Sequence, residues 1–295
     1  MTQLTDFSEH LHALDRSPAT VRGYVNDLNV LSRWLEKDLA ALTAADVREY
    51  RSSLLESGTA AHTINRKLAA IAAFGNWAAQ TGLMPNNPAI SIKSVETVSL
   101  APKWLDKKQR RDLIQTVTTD LQTARLRYPR LWLLRLRDAV SVILLLNTGL
   151  RVSELCNLRV GDLVLTERKS SLTVRAGKGL KQRVVPLNKD ARAMLEQWLE
   201  VRPQIVSEAL FIGQRGEPMQ PRSVQNAVTR YAEQAGLPDV TCHVCRHTFA
   251  KSLIDSGVTL EKVAALLGHE SLNTTRLYIT PGETDLELAV TTLSE

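Results

Sequence analysis

The chain has 295 residues, of which 44% are hydrophobic and 5% aromatic, and its formal net charge is +6. This composition is typical of a helix-rich globular protein with about two domains. No run reaches the ~18 apolar residues that a membrane-spanning helix needs, and no signal peptide is visible at the start. Three cysteines do not make a disulfide framework, so we expect a cytoplasmic protein.

The positive charge is concentrated in the second part of the chain. Residues 1–99 contain 9 Lys and Arg against 10 Asp and Glu, whereas residues 100–295 contain 28 against 21. The excess is densest between Lys103 and Arg137, where ten basic residues face three acidic ones. Such a surface is typical of nucleic-acid binders. A solvated basic surface would have the same composition, so the charge only supports a nucleic-acid partner.

The first part of the sequence predicts a bundle of about four helices. Ser17 and Pro18 are typical of an N-cap followed by proline at the first helical position. Thr43 and Asp46 resemble a capping box that starts a later helix. Apolar residues recur between these signals at helical spacing. We therefore predict a helical domain at 1–84.

A linker and a second domain follow. The stretch 85–102 has two early prolines and little periodicity, which predicts a linker. In the domain at 103–295, the apolar run AVSVILLLNTGL predicts a buried core helix. Alternating apolar residues between Leu163 and Pro186 predict a small antiparallel sheet with a Gly-Lys-Gly hairpin. Further helices are predicted at 188–201, 221–235, 242–256, 260–267 and 272–278.

Six residues of this second domain suit chemistry on a phosphodiester. Without a metal, that chemistry needs charge on the phosphate oxygens neutralised, a hydroxyl deprotonated and a leaving oxygen protonated. Two arginines can grip the phosphate, a lysine can donate a proton, two histidines can bind phosphate or accept a proton, and a tyrosine can attack. These residues are Arg151, Arg246, Lys178, His243, His269 and Tyr278. Of the histidines, His243 is the better candidate base.

Each of these residues also has an ordinary interpretation. Arg151 and Glu154, three residues apart, could be a surface ion pair, and the H-x-x-R-H run at 243–247 could be a polar helix face. Lys178 could be an exposed turn lysine, because the spacing of a P-loop is missing. Tyr278 could pack at a helix end. The ordered occurrence of all six residues is what favours phosphodiester chemistry.

Cys242 and Cys245 form a C-x-x-C pair beside two histidines, which raises the question of a zinc site. Structural zinc needs four ligands, and Cys156 is solitary. Helical spacing places Cys242 and Cys245 on one stripe with Phe249, away from the histidines. We therefore predict that both cysteines pack in the core and that the chain holds no metal.

With TGLRVSEL around Arg151, HVCRH at 243–247 and LLGHESLNTTRLY ending at Tyr278, the chain resembles the tyrosine recombinases, the phage-integrase and Xer-like family. The resemblance covers nearly the whole chain. It implies a mainly α fold: a four-helix, SAM-like core-binding domain and a mostly helical catalytic domain with a small antiparallel sheet. Tyr278 would be the nucleophile, with Glu154 and His247 in supporting roles. The activating residues would be Arg151, Lys178, His243, Arg246 and His269.

The resemblance also implies a reaction and an assembly. Tyr278 would form a 3′-phosphotyrosyl bond with DNA, and strands would be exchanged through a Holliday junction without ATP, cofactor or metal. The expected partner is double-stranded DNA with an inverted-repeat core site, bound by a homotetramer across two sites, alone or with a second related recombinase. The task would be dimer resolution or mobile-element integration and excision, at the nucleoid. An apolar tail after Tyr278 would dock on a neighbouring subunit.

Two alternatives stay open at this point. A type IB-like DNA topoisomerase uses similar residues but relaxes supercoils without pairing sites. A non-catalytic DNA-binding protein could keep the fold without the chemistry. One departure from the family pattern is the stretch Asp120–Leu134, which is longer than the usual connection.

Overall fold

The structure of the protein, a computed structural model, describes residues 2–97, 102–175, 182–269 and 271–276. The chain divides into two compact units, Met1–Leu100 and Ala101–Glu295. Over the described ranges, no helix combines the length and the apolar character that crossing a lipid bilayer would require.

Four α-helices build the first unit, as the sequence predicted. They are α1 (Thr2–Ala13), α2 (Pro18–Leu35), α3 (Ala44–Glu56) and α4 (Ala61–Gln80). The predicted start signals are confirmed, since the Ser17 side chain accepts a hydrogen bond from Thr20 N, and Thr43 and Asp46 form a reciprocal capping box. The helices bury a core that includes the edge-to-face rings of Phe7 and Phe74, 5.4 Å apart.

The first part of the predicted linker packs against this unit. Asn87 is buried; its Nδ2 donates to Asn76 Oδ1 at 2.7 Å, and its Oδ1 accepts from Ala89 N at 2.9 Å. Farther along, the Asn65 side chain and the Val95 backbone exchange two hydrogen bonds of 2.7 and 2.8 Å. Anchoring by asparagine amides leaves no hydrophobic periodicity, which is why the sequence indicated an extended linker here.

The second unit is mainly helical and carries one small sheet. Its helices are α5 (Lys107–Arg127), α6 (Pro129–Thr148), α7 (Val152–Cys156), α8 (Lys189–Val201), α9 (Pro221–Gln234), α10 (Cys242–Asp255), α11 (Leu260–Leu267) and α12 (Asn273–Arg276). Its antiparallel sheet has the order β1-β2-β3, with β1 (Leu163–Val164), β2 (Ser171–Val174) and β3 (Arg183–Pro186). The predicted sheet is thus confirmed, while the Gly-Lys-Gly turn lies outside the described residues.

Helix α6 is the centre of the second unit. All of its residues from Leu136 to Thr148 are buried, and it packs against α5, α8, α9 and α10. This confirms the buried core helix predicted from the apolar run. The helix ends at Gly149, whose φ of +62° is left-handed and favours glycine. Arg151 then caps α7, so the end of α6 directs this arginine out of the core.

The connection that the sequence marked as long is helical. Helix α5 continues to Arg127, Tyr128 interrupts the helical conformation, and α6 begins at Pro129. The stretch Asp120–Leu134 therefore belongs almost entirely to two packed helices and not to a loop. Tyr128 is exposed at this corner, at the opposite end of α6 from Arg151.

Gly75 in α4 allows the close approach of Asn87, because a Cβ at this position would overlap Asn87 Oδ1 and Cγ. We expect Gly75→Ala to lower the free energy of unfolding by about 1–3 kcal/mol, since Asn87 would lose its buried hydrogen bonds. The matched control is Gly23→Ala in α2, where the nearest atom to a new Cβ lies 4.0 Å away. That change should stabilise the helix by about 0.5–1 kcal/mol.

Both variants can be compared by urea unfolding of the full chain, followed by far-UV circular dichroism. Equal effects of the two alanines would contradict the close packing of Asn87 against Gly75.

Candidate active site

Arg246 is a buried cation of the second unit. It lies on α10 and is only 4% exposed. Its Nη1 donates to Gly149 O at 2.6 Å and its Nη2 donates to Leu267 O at 2.8 Å. Gly149 caps the C-terminus of α6, and Leu267 is the last residue of α11. The guanidinium therefore binds where two helix C-termini converge, which supplies carbonyl acceptors and the negative ends of two helix dipoles.

Three arginines bind three successive carbonyl groups at the end of α11. Arg183 Nε donates to Leu266 O at 2.8 Å, and Arg246 donates to the next carbonyl. Arg151 Nη2 lies 3.5 Å from the following one, Gly268 O. The turn that leads into His269 is therefore held by side chains from α7, β3 and α10.

One carboxylate, that of Glu154 on α7, lies among these arginines. It accepts bonds from Arg151 Nη1 at 2.8 Å and from both Nη atoms of Arg183 at 2.8 and 2.9 Å, and it lies 3.9 Å from Arg246 Nη1. Burial of Glu154 raises its pKa, but the bonds from Arg183 and from the Arg151 backbone outweigh burial and lower the pKa to about 2. Glu154 is therefore ionised at neutral pH. Together, these three arginines and this one carboxylate have a formal net charge of +2.

Next to this cluster is a cavity of about 360 Å³. It is lined by Arg151, by His243 and Arg246 of α10, and by polar side chains of α9. The α9 residues are Arg222, Gln225 and Thr229. A concave, arginine-lined cavity of this kind suits a phosphate group and the sugars joined to it.

The three histidines of the predicted site differ in exposure. His243 is exposed at the rim of the cavity, whereas His247 and His269 are half-buried. Burial lowers the pKa of His247, and His243 and Arg246 lower it further. Burial also lowers the pKa of His269, and together with Arg246, Arg151, Arg183 and His247 brings it to about 4. His269 is therefore a neutral imidazole at pH 7, with one donor and one acceptor.

His269 is also tied to α12. Its Nδ1 lies 2.8 Å from the hydroxyl oxygen of Thr275, which is fully buried. This contact fixes the plane of the imidazole ring and connects it to the short helix that precedes residue 278. Tyr278 itself lies outside the described residues, as do Lys178 and the apolar tail.

The structure thus brings together six of the eight residues that the sequence indicated: Arg151, Glu154, His243, Arg246, His247 and His269. The core interpretation of the cysteines is confirmed, because Cys242 and Cys245 are 8% and 0% exposed. Burial raises the pKa of the Cys242 thiol to about 11. Within the described ranges, no three His, Cys, Asp or Glu side chains form a group that could hold a metal ion.

Sequence reasoning did not identify Arg183 or the polar residues of α9 that line the cavity. Arg183 had a detectable signal, since it lies two residues before Val185 on one strand and therefore on the same face as a fully buried residue. An arginine on the buried face of a strand needs a hydrogen-bond acceptor or an opposite charge nearby, because a buried charge is otherwise costly. The spacing of Arg222, Gln225 and Thr229 along α9 was a second signal, since residues three and seven apart share a helix face.

Comparison with known proteins gives two family matches and several close relatives. A model of the phage integrase family matches residues 103–284, and a model of the phage integrase N-terminal SAM-like domain matches residues 4–82. Tyrosine recombinase XerC of Corynebacterium efficiens is 34% identical over 278 residues, covering 93% of this chain and 85% of the relative. Tyrosine recombinase XerC of Alcanivorax borkumensis is 35% identical over 280 residues, covering 92% and 87%.

Two solved structures illustrate the fold. The XerH site-specific recombinase bound to palindromic difH substrate has a TM-score of 0.75 at 21% identity, covering 98% of this chain and 85% of that one. A lambda integrase dimer bound to a COC′ core site has a TM-score of 0.70 at 18% identity, covering 94% of each chain. At these identities the likeness concerns the fold alone, and it confirms the predicted mainly α architecture with its small antiparallel sheet.

The state of His269 can be measured by NMR on protein labelled with ¹³C and ¹⁵N histidine. We expect it to titrate near pH 4, and its signal can be assigned with a His269→Asn variant. Thr275→Val should alter the Nδ1 shift because the hydroxyl partner is lost, whereas Thr274→Val, at an exposed neighbour, should not. A titration close to the ordinary value of about 6.5 would contradict the buried, arginine-rich surroundings.

The same shift has a consequence for stability. The pKa of His269 is lower in the folded chain than in the unfolded chain, so the unfolded chain binds the proton first as the pH falls. We expect this contribution to stability to be complete above about pH 6.5 and to be lost between there and pH 4. Urea unfolding at pH 7 and pH 5 would measure the loss, and His269→Asn should reduce it.

Proposed function

The chain belongs to the phage integrase family, which its sequence motifs already resembled. We therefore propose that it is a site-specific DNA recombinase. The observation that carries this proposal is the convergence of Arg151, His243 and Arg246 on one cavity, beside a cluster of three arginines and one carboxylate whose formal net charge is +2. The reaction is DNA strand transfer by transesterification, with Tyr278 as the nucleophile and a 3′-phosphotyrosyl intermediate. Strands are exchanged through a Holliday junction.

The charge of the cluster matches the charge of this reaction. A phosphodiester carries one negative charge, and attack by a phenolate brings a second onto the phosphorane-like transition state. Counted together, Arg151, Arg183, Arg246 and Glu154 have a surplus of two positive charges, and Arg151 and Arg246 of this cluster line the cavity. The surplus is therefore better matched to the transition state than to the bound DNA, and this difference lowers the barrier.

Proton transfer requires groups of other kinds. Tyr278 loses a proton when it attacks, and His243 at the cavity rim is the proposed acceptor. The leaving 5′ oxygen gains a proton, for which Lys178 is the proposed donor. His269, neutral and fixed through Thr275, can donate one hydrogen bond to the phosphate. His247 and Glu154 support this arrangement without contacting the reacting atoms.

The proposal extends to domains and assembly. Residues 1–84 form the core-binding domain, residues 85–102 a linker and residues 103–295 the catalytic domain with a docking tail. The substrate is double-stranded DNA with an inverted-repeat core, held by a homotetramer on two sites, alone or with a second related recombinase. The biological task is resolution of chromosome or plasmid dimers, or integration and excision of a mobile element. Such a substrate places the protein at the nucleoid.

The nucleophile can be tested by capture of covalent protein–DNA adducts under denaturing conditions. The wild-type protein and Tyr278→Phe are incubated with a sheared genomic library, and the retained DNA is sequenced. We expect adducts from the wild type that converge on one short inverted-repeat site. Tyr278→Phe should form none but should still bind that site, because only one oxygen is removed. The matched control is Tyr128→Phe, which changes an exposed tyrosine at the far end of α6 and should form adducts normally.

The outcomes separate the candidate functions. Adducts scattered over all sequences would favour a topoisomerase, and the absence of adducts with the wild type would favour a DNA-binding protein without chemistry. Adducts from Tyr278→Phe would show that another residue is the nucleophile.

Arg246 is best tested with Arg246→Lys, which keeps the charge but cannot bind both helix-end carbonyls and the phosphate together. We expect single-turnover cleavage to fall by about 100- to 1,000-fold, as for loss of one transition-state donor. A matched control is Arg159→Lys, since that arginine pairs with Glu208 on the surface. Melting temperatures should accompany both rates, and cleavage within threefold of wild type by Arg246→Lys would remove Arg246 from the phosphate clamp.

A further inference from the structure

Arg183 is not one of the six motif residues, yet its side chain connects two parts of the candidate site. Its two Nη atoms donate to the two carboxylate oxygens of Glu154 at 2.9 and 2.8 Å. Its Nε donates to Leu266 O at 2.8 Å. The side chains of both Arg183 and Glu154 are 15% exposed. At least three of the five N–H donors of this arginine are thus directed to protein acceptors.

The turn after α11 is shaped around this guanidinium. Gly268 has a φ of +66°, a left-handed conformation that favours glycine. A Cβ at Gly268 would also lie 2.7 Å from Nη1 of Arg183. The position therefore needs glycine for two separate reasons, and the second exists only because Arg183 packs against the turn. His269 is the next residue, so its placement depends on this contact.

We propose that Arg183 is a positioning residue that fixes Arg151 and His269 relative to one another. It acts on Arg151 through the shared carboxylate of Glu154, and on His269 through the Leu266 carbonyl and the turn at Gly268. The inference rests on the proposed function, because the purpose of this alignment is to bring both residues to one phosphate.

The geometry explains why this position needs an arginine. Binding both oxygens of a carboxylate and a carbonyl with one side chain takes a planar fork with a third donor, which lysine lacks. The Leu266 carbonyl is one of the last of α11, where no intrahelical donor is available and a cation is favoured. Glu154 in turn accepts from the Arg151 backbone at 2.8 Å, so its carboxylate fixes both ends of that arginine.

The test uses the full chain and the DNA site captured by the wild type. Misplacement of reacting groups by about 1 Å can cost about 100-fold, so we expect Arg183→Gln to slow single-turnover adduct formation by about 100-fold. Arg183→Lys should slow it by about tenfold, because charge is kept while the fork is lost. The Kd for DNA should stay within about threefold of wild type, since phosphate contacts carry affinity and Arg183 does not line the cavity.

The structural control is Arg202→Gln. Arg202 is also partly buried and binds protein carbonyls, with Nη2 at 2.8 Å from Ser207 O and 2.7 Å from Ala209 O, but it does not line the cavity. This control shows how much cleavage changes when a partly buried arginine outside the cavity is lost and only stability is affected. We expect a lowered melting temperature with cleavage close to wild type at 20 °C.

Two further measurements distinguish positioning from general damage. If Arg183 acts on Arg151 through Glu154, then Glu154→Gln and Arg183→Gln together should slow cleavage by less than the product of their separate effects. In the NMR titration, Arg183→Gln should raise the pKa of His269, because the charge of Arg183 lowers it together with burial, Arg246, Arg151 and His247. Arg202→Gln should leave that pKa unchanged.

Any of four results would overturn the proposal: cleavage by Arg183→Gln or Arg183→Lys at the wild-type rate, fully multiplicative effects with Glu154→Gln, a DNA affinity that falls in step with cleavage, or an unchanged His269 titration. Absence of adducts with the wild-type protein would instead refute the proposed function. The NMR arm needs no DNA and would still test whether Arg183 acts on His269.

Discussion

The candidate active site depends on the burial of the Arg246 guanidinium. A buried charge is costly unless hydrogen bonds and opposite charge compensate for it, and Arg246 obtains both from the C-terminal carbonyls of α6 and α11 and from Glu154. The carbonyls that it binds have no intrahelical donor, so the same contacts complete two helices. The site is therefore part of the packing of the second unit, and a change that removes the charge also leaves two helix ends unsatisfied.

The cluster is held in a state that favours an anion. Arg151, Arg183 and Arg246 surround the carboxylate of Glu154, and the mutual repulsion of the three arginines destabilises the free protein to some degree. A bound phosphate relieves this repulsion, so DNA binding and folding stability are thermodynamically linked. Burial lowers the pKa of His269, and the arginines lower it further, because an imidazolium would add to the same repulsion.

The sequence predicted elements whose signals are local. Helix caps such as Ser17 and Thr43, the apolar run of α6 and the alternation in the sheet each depend on neighbouring residues, and each is confirmed. The anchoring of Asn87 and the tie between Arg183 and Glu154 join residues far apart in the chain, through polar groups that leave no periodicity. Motif order could indicate which residues carry charge, but it could not indicate which arginine holds the others in place.

In the site, permanently charged groups and titratable groups have different chemical roles. Arginines stay protonated at any working pH and can therefore only neutralise charge, whereas proton transfer needs groups that titrate. The arginines that bind the phosphate also act on a phenol beside it, because positive charge favours the phenolate over the phenol. Burial and the negative charge of the phosphate act in the opposite direction. A group that accepts the phenol proton is therefore still needed, and arginine cannot be that group.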